Sequence, residues 1–223
     1  MPLIVIEGLD GSGKATNANA LYEKLGSLGK RVKKISFPDY ESDSSALVKM
    51  YLAGDFGKKA TDVNAYAASA FYAVDRFASF KTGWETEYNR GDFIIADRYT
   101  TSNAVHQSGK LSGAERDAYF EWLYDFEFGK MGLPRPDAVI YLDVLPEVSQ
   151  KLMSERYSGD ENKKDIHEAD TEYLKKSRQA ALYAAKKLGW QVVSLCENGE
   201  MLSREDAFAR VFDKIKELYG TEL

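Results

Sequence analysis

The sequence predicts an α/β fold: a parallel sheet of five strands with helices on both faces. Three observations carry that prediction. Short apolar runs, Leu3-Ile4-Val5-Ile6, Phe93-Ile94-Ile95-Ala96 and Ala138-Val139-Ile140-Tyr141-Leu142, lack the polar alternation of a half-wet strand and suit strands buried on both faces. Segments of helical period separate them, as the crossovers of a parallel sheet require. The first run also passes directly into Gly8-Leu9-Asp10-Gly11-Ser12-Gly13-Lys14, the G-x-x-x-x-G-K spacing of a phosphate-binding loop. Strand, glycine-rich turn and helix start are the context that gives this spacing its meaning.

In chain order, Ala18, Leu21, Tyr22 and Leu25 recur at helical spacing until Gly26 and Gly29 stop the helix. Residues 31–37 read as a second strand, closed by Pro38, which cannot donate to a ladder. Leu47, Met50, Tyr51 and Leu52 suggest a helix ending near Gly54. Residues 63–88 carry a long helical pattern with Ala67, Phe71, Val74 and Ala78 on one face. The strand at 93–96 ends in Asp97-Arg98-Tyr99, and 112–130 is aromatic-rich and helical in period. After the strand at 138–142, Pro146 opens a helix at a favoured position. Residues 157–164 (YSGDENKK) are polar and without apolar period, and read as a mobile loop. A helix over 167–188, a strand over 190–195 and a closing helix over 204–219 complete a single domain spanning 1–223. In such a sheet ligands lie beyond the carboxyl ends of the strands. That places 8–14, Phe37-Pro38, Asp97-Arg98 and the Asp143 region on one rim.

Lys and Arg number 30 against 35 Asp and Glu, a net charge of −5, which offers no broad basic field for nucleic acid. Cys196 is the one cysteine, so an intrachain disulfide is excluded and a reducing cytoplasm is expected. Met1-Pro2 leads straight into the first strand, so no signal peptide is expected, and no apolar run has the length of a membrane span. A soluble, cytoplasmic protein is the expectation.

The chemistry of the loop follows from its residues. Glycines let backbone N–H groups wrap an anion, the helix dipole favours negative charge there, and Lys14 adds a mobile cation. The position after the lysine, normally a Ser or Thr that ligates Mg²⁺, is Ala15, and Thr16 comes one place late. Tyr72 and Arg76 are four apart and share a helix face, where a ring can stack on a flat base and a guanidinium can donate to its edge. Read alone, the same pair fits a core aromatic and a solvated charge. Arg98 carries the planar fork that suits a phosphate, or pairs structurally with Asp97. Asn103 has both a donor and an acceptor for a base edge. Asp10 suits Mg²⁺, an acceptor phosphate or a capped turn equally.

The chain resembles the thymidylate kinase family, P-loop enzymes that move the γ-phosphoryl of ATP onto dTMP in dTTP synthesis. The resemblance rests on IEGLDGSGKAT, Phe37-Pro38, Tyr72-Ala73-Val74-Asp75-Arg76, Asp97-Arg98-Tyr99 with Ser102-Asn103, Leu133-Pro134-Arg135-Pro136-Asp137, and residues 165–168, in that order. It implies a P-loop NTPase fold with a mobile lid at about 156–167, ATP and Mg²⁺ as cofactors, and a homodimer. Gly8, Leu9, Asp10, Gly11, Ser12, Gly13, Lys14, Ala15 and Thr16 would hold ATP, with Asp10 and Asp97 near the metal. Phe37, Tyr72, Arg76, Asn103 and His106 would line the dTMP site together with Asp10 and Arg98, Arg98 on its phosphate and His106 beneath the deoxyribose. Lys14, Asp10, Arg98 and Arg156 would be the catalytic set, Arg156 serving as a cation from the lid. Two departures stand out: Phe37-Pro38 is followed by Asp39-Tyr40 where relatives have Glu-Arg, and Gly11 stands where some carry an Arg. A kinase for another nucleotide or nucleoside, and an inactive nucleotide-binding regulator suggested by Ala15, are the alternatives.

Overall fold

The computed structural model describes residues 2–156, 171–220 and 223, with backbone only at 154–156 and 171–173. The chain runs β1 (Leu3–Gly8), α1 (Lys14–Ser27), β2 (Val32–Ser36), α2 (Ala46–Leu52), α3 (Ala65–Ser79), α4 (Glu85–Arg90), β3 (Phe93–Asp97), α5 (Thr100–His106) and α6 (Gly113–Tyr124). It continues through β4 (Ala138–Asp143), α7 (Pro146–Arg156), α8 (Thr171–Leu188), β5 (Gln191–Ser194), β6 (Cys196–Glu197), β7 (Glu200–Met201) and α9 (Arg204–Tyr219). Strands β1 to β5 form one sheet in the order β2-β3-β1-β4-β5, every pairing parallel.

Why the strands read as unbroken apolar runs is visible in their packing. Along β1, Leu3 and Val5 enter one core while Ile4 and Ile6 enter the other. The first core, against α3, α5, α6 and α8, is rich in aromatics such as Trp84, Tyr99 and Tyr119. The second packs α1 and α9 through Leu21, Leu25, Val211 and Ile215. Both faces are dry, so alternation has no polar side to report. The motif at 133–137 closes the opposite end of the sheet from the rim. The Leu3 N–H donates to Asp137 Oδ2 at 2.8 Å, Tyr99 OH donates to the Pro134 carbonyl at 3.0 Å, and Arg135 lies over the Phe128 ring.

Several elements depart from their expected form. The helical pattern at 63–88 is broken by a π-helical turn, Phe80–Trp84, which divides α3 from α4. On α3 the buried face is Ala65, Ala68, Ser69, Ala73, Asp75 and Arg76. Of the apolar stripe, Val74 is 47% exposed while Ala67, Phe71 and Ala78 are half-buried, Phe71 against Tyr51 and Phe56. Leu47 and Met50 on α2, and Tyr22 on α1, are likewise exposed. Helix α6 passes into a second π-helical turn, Asp125–Lys130. The two-stranded β6–β7 hairpin was not foreseen, although Asn198-Gly199 is the turn dipeptide such hairpins favour and both residues take positive φ, 50° and 80°. The lid at about 156–167 and the motif at 165–168 lie, apart from the Arg156 backbone, outside the described residues.

Candidate active site

The loop between β1 and α1 is shaped by contacts that only glycine permits at two positions. A Cβ on Gly8 would stand 2.5 Å from Ser12 Oγ and 2.9 Å from the Leu142 carbonyl. Gly11 takes φ +77°, and a Cβ there would meet the Ser149 carbonyl at 2.7 Å. Helix α7 presses on the loop at this point, and Ser149 Oγ donates to the Asp10 carbonyl. Lys14, at the first position of α1, folds back so that Nζ donates to the Leu9 carbonyl at 2.8 Å and lies 3.6 Å from Asp10. Gly8, Leu9 and Ser12 form the inner wall of the loop. Asp10, Gly11, Gly13, Lys14, Ala15 and Thr16 line a cleft of about 960 Å³. Both Ala15 and Thr16 are exposed there, so a hydroxyl does border the cleft, one residue later than usual.

At the end of β3, Arg98 adopts φ +68°, a left-handed backbone rare for a residue with a Cβ. The turn swings its guanidinium back over the loop. Nη2 donates to Asp10, Nη1 donates to Ser102 Oγ at 3.2 Å, and Nη1 lies 3.3 Å from His106 Nε2. Behind it is Glu7, fully buried, which accepts from the Gly8 N–H at 2.9 Å, Thr101 Oγ1 at 2.8 Å and Ser102 Oγ at 2.7 Å. Glu7 Oε1 is 3.6 Å from Arg98 Nη1. Burial alone would raise the Asp10 carboxyl. The charges of Arg98, Lys14 and His106 outweigh it and hold Asp10 well below the usual carboxylate range. Burial pushes the Lys14 ammonium down, and Arg98 adds to that, against Asp10, Asp97 and Glu7. Burial also opposes charge on Arg98, but Asp10, Glu7 and Asp97 overcome it and keep the guanidinium ionised.

Deeper in the cleft, Arg76 is 1% exposed and bound bidentately by Glu127, Nε to Oε2 at 2.7 Å and Nη2 to Oε1 at 2.5 Å. Burial works against the guanidinium and the Glu127 charge more than restores it. Thr100 Oγ1 donates to the same carboxylate at 2.6 Å, and Asn103 Nδ2 lies 3.4 Å from Oε1. Tyr72 meets Tyr51 edge-on at 6.4 Å between centroids, and Phe37 packs against Tyr99 at 5.8 Å. On the far side of the loop, the hairpin brings Met201 and Leu202 to the cleft beside Gly13, with Ser203, Arg204 and Ala207 at the start of α9.

Thus Phe37, Tyr72, Arg76, Asp97, Arg98, Asn103 and His106 all border the one cleft with the phosphate loop. Asp143 ends β4 on the same rim, outside the cleft lining, and takes Arg178 of α8 in a bidentate pair, both contacts 2.8 Å. The Arg156 side chain lies outside the described residues. Sequence reasoning missed Glu7, Glu127 and Asp75. Each is a buried carboxylate that orders other residues: Asp75 receives the Asp39 N–H at 2.9 Å and Ser44 Oγ at 2.7 Å. A lone carboxylate inside an apolar run, as in Ile6-Glu7-Gly8 or Phe126-Glu127-Phe128, was the signal available.

A parallel sheet carrying a G-x-x-x-x-G-K loop between its first strand and a helix, with cations gathered beyond it, defines a P-loop nucleotide-binding protein. The family model described as thymidylate kinase matches residues 6–218. A thymidylate kinase of Mycobacterium tuberculosis is 32% identical over 186 residues, 82% of this chain and 84% of that one. One of Arabidopsis thaliana is 28% identical over 221 residues, 90% and 75% of the two chains. The solved thymidylate kinase of Candida albicans superposes with a TM-score of 0.67 over 97% of this chain and 91% of that one, at 22% identity, a likeness of fold. The chain belongs to the thymidylate kinase family.

Proposed function

We propose that this protein transfers the γ-phosphoryl of ATP to the phosphate of dTMP, and that the residues above divide the work. The observation that carries the reading is one cleft bordered by the phosphate loop and by the Tyr72–Arg76–Asn103 group, with Arg98 reaching both sides through Asp10 and His106. Lys14 and the loop N–H groups would hold the ATP phosphates, and Met201 and Leu202 would cover its base. Arg98 would take the dTMP phosphate, with Asp10 aiming it. Tyr72 would stack on the base, Arg76 and Asn103 would read its edge, Phe37 would wall the site, and His106 would fill the space beneath the sugar. Arg156 is the proposed cation of a lid at about 156–167 within a single domain, 1–223. A phosphate acceptor needs no strong base, so positioning and charge neutralisation suffice.

The residues suit Mg²⁺ held chiefly by phosphates. Among the described residues no cluster of three metal-ligating side chains occurs, and Asp10 is committed to Arg98 and Lys14. Asp97, on the cleft wall, would then reach the ion directly or through its water, and Thr16 offers a hydroxyl. When bound, the ion neutralises charge on the β- and γ-oxygens.

We also infer a cytoplasmic homodimer. The outward face of α2 and α3, with Met50, Tyr66, Val74 and Phe77 exposed, supports a self-complementary contact. No helix among the described residues is long and apolar enough to cross a membrane. The deciding experiment is ADP production from ATP and Mg²⁺ with dTMP, dUMP, dCMP, dGMP and UMP as acceptors. Preference for dTMP is expected. Preference for another acceptor would keep the phosphotransfer and overturn the base assignment. ATP binding without turnover would promote a regulator.

A further inference from the structure

We infer that Glu127 is the positioning residue that sets which hydrogen-bond pattern the cleft offers to the acceptor base. The inference rests on the reading that Arg76 and Asn103 face that base.

Glu127 is fully buried and stands behind the cleft wall, on the π-helical turn Asp125–Lys130. Such turns insert a residue into the helical repeat and recur at functional sites. Locked in a bidentate pair with the Arg76 guanidinium, its carboxylate serves every neighbour as an acceptor. Its two oxygens receive Arg76 Nε and Nη2, Thr100 Oγ1 at 2.6 Å and Asn103 Nδ2 at 3.4 Å. The demand for donors fixes both neighbours. Two of the three guanidinium nitrogens of Arg76 are turned inward, and among the described residues Nη1 keeps only a 3.5 Å contact with the Tyr99 carbonyl. Asn103 finds acceptors on one side, Glu127 and the Ser69 carbonyl, both at 3.4 Å, so its amide nitrogen must point there and Oδ1 is left for the cleft.

What results is one donor, Arg76 Nη1, beside one acceptor, Asn103 Oδ1. That pair complements a ring carbonyl next to a ring N–H, the edge of thymine or uracil. Cytosine presents the reverse, an amino donor next to a bare ring nitrogen, and would meet donor against donor. The carboxylate also cancels the Arg76 charge, so this end of the cleft presents a directed donor without a net positive field to draw a phosphate.

The test is Glu127→Gln, near-isosteric but bearing an N–H₂ that lets Asn103 turn over. With ATP as donor, KM for dTMP should rise about tenfold, the loss of one good hydrogen bond. KM for ATP should stay within twofold. The ratio of kcat/KM for dTMP over dCMP should fall about tenfold or more, which loss of fold stability alone would not cause. A folded Glu127→Gln with both KM for dTMP and that ratio within twofold of the parent overturns the inference. Should it not fold, Thr100→Val, which strips one donor from the carboxylate and spares the ion pair, decides the matter by the same ratio: a fall of threefold or more supports the role and an unchanged ratio ends it. Asn103→Ala separates the two levels. A raised KM for dTMP there beside an unaffected Glu127→Gln removes only Glu127, whereas no effect in either removes the base-site reading as well.

Discussion

Arg98 shows how much is asked of one residue. Its backbone sits at φ +68°, a region that costs a side-chain-bearing residue roughly 1–2 kcal/mol, and the surrounding contacts to Asp10, Ser102 and Glu7 hold it there. Strain concentrated on a cation at the mouth of a phosphate loop points to a group pre-set for its ligand. Replacing Arg98 with Ala is expected to lower kcat for dTMP phosphorylation on the order of a hundredfold or more. A circular dichroism spectrum close to the parent's should accompany that loss, since Asp10 keeps Lys14 and Glu7 keeps its three hydrogen-bond donors. At this scale the sequence was informative about cations and nearly silent about their partners. The family resemblance singled out Arg76 and Arg98, and Lys14 announced itself through motif and spacing. Glu7 and Glu127 did not, because a buried acceptor is recognised by the donors that converge on it, and apart from the adjacent Gly8 N–H those come from 24 to 95 residues away.

Elements were legible wherever a single period governed them. The three interior strands and α1 follow from unbroken apolar runs and a 3.6 repeat, and the structure places them within a residue or two. Helix α3 was placed, and its inner side carries Ala, Ser, Asp and Arg to make room for the cleft, so Val74 and Phe77 fall outside and Phe71 is half-buried against Tyr51 and Phe56. Polarity follows function there, so the apolar stripe does not mark the most buried side. The phosphate loop is the element most tightly bound to its surroundings, and Gly11 is its narrowest point. Gly11→Ala places a methyl group against the Ser149 carbonyl while keeping a positive φ, so loop and α7 must separate. Affinity for ATP, read by isothermal titration, should fall by about tenfold or more, and the melting temperature should drop. An unchanged ATP affinity would mean that the loop relaxes without cost.

Across the whole molecule, the amino edges of β2 and β3 are clipped together by Asp92, which accepts from Arg90 Nη2 at 2.5 Å and Arg31 Nε at 2.7 Å. Those bonds bring its carboxyl down from the ordinary 3.8 to about 2. The folded value lies below the unfolded one, so the contribution to stability is complete above about pH 3.8 and vanishes as pH falls toward 2. Asp92→Asn should therefore lower the urea midpoint at pH 7, and the gap to the parent should close between pH 4 and pH 2. A gap that persists at pH 2 would show that packing, not charge, is lost. The two cores separated by the sheet carry one more consequence. The side against α1 and α9 is filled by apolar residues, which can be exchanged for others of similar volume one at a time. The side against α3 and α5 holds Arg76, Thr100, Asn103, Ser69 and Glu127 in a single bonded set. Members of such a set are not independent under substitution. Core residues on the first side are therefore free to drift singly, whereas a lineage, or a designer, altering the second side must cross a valley in which two or more of these residues change together.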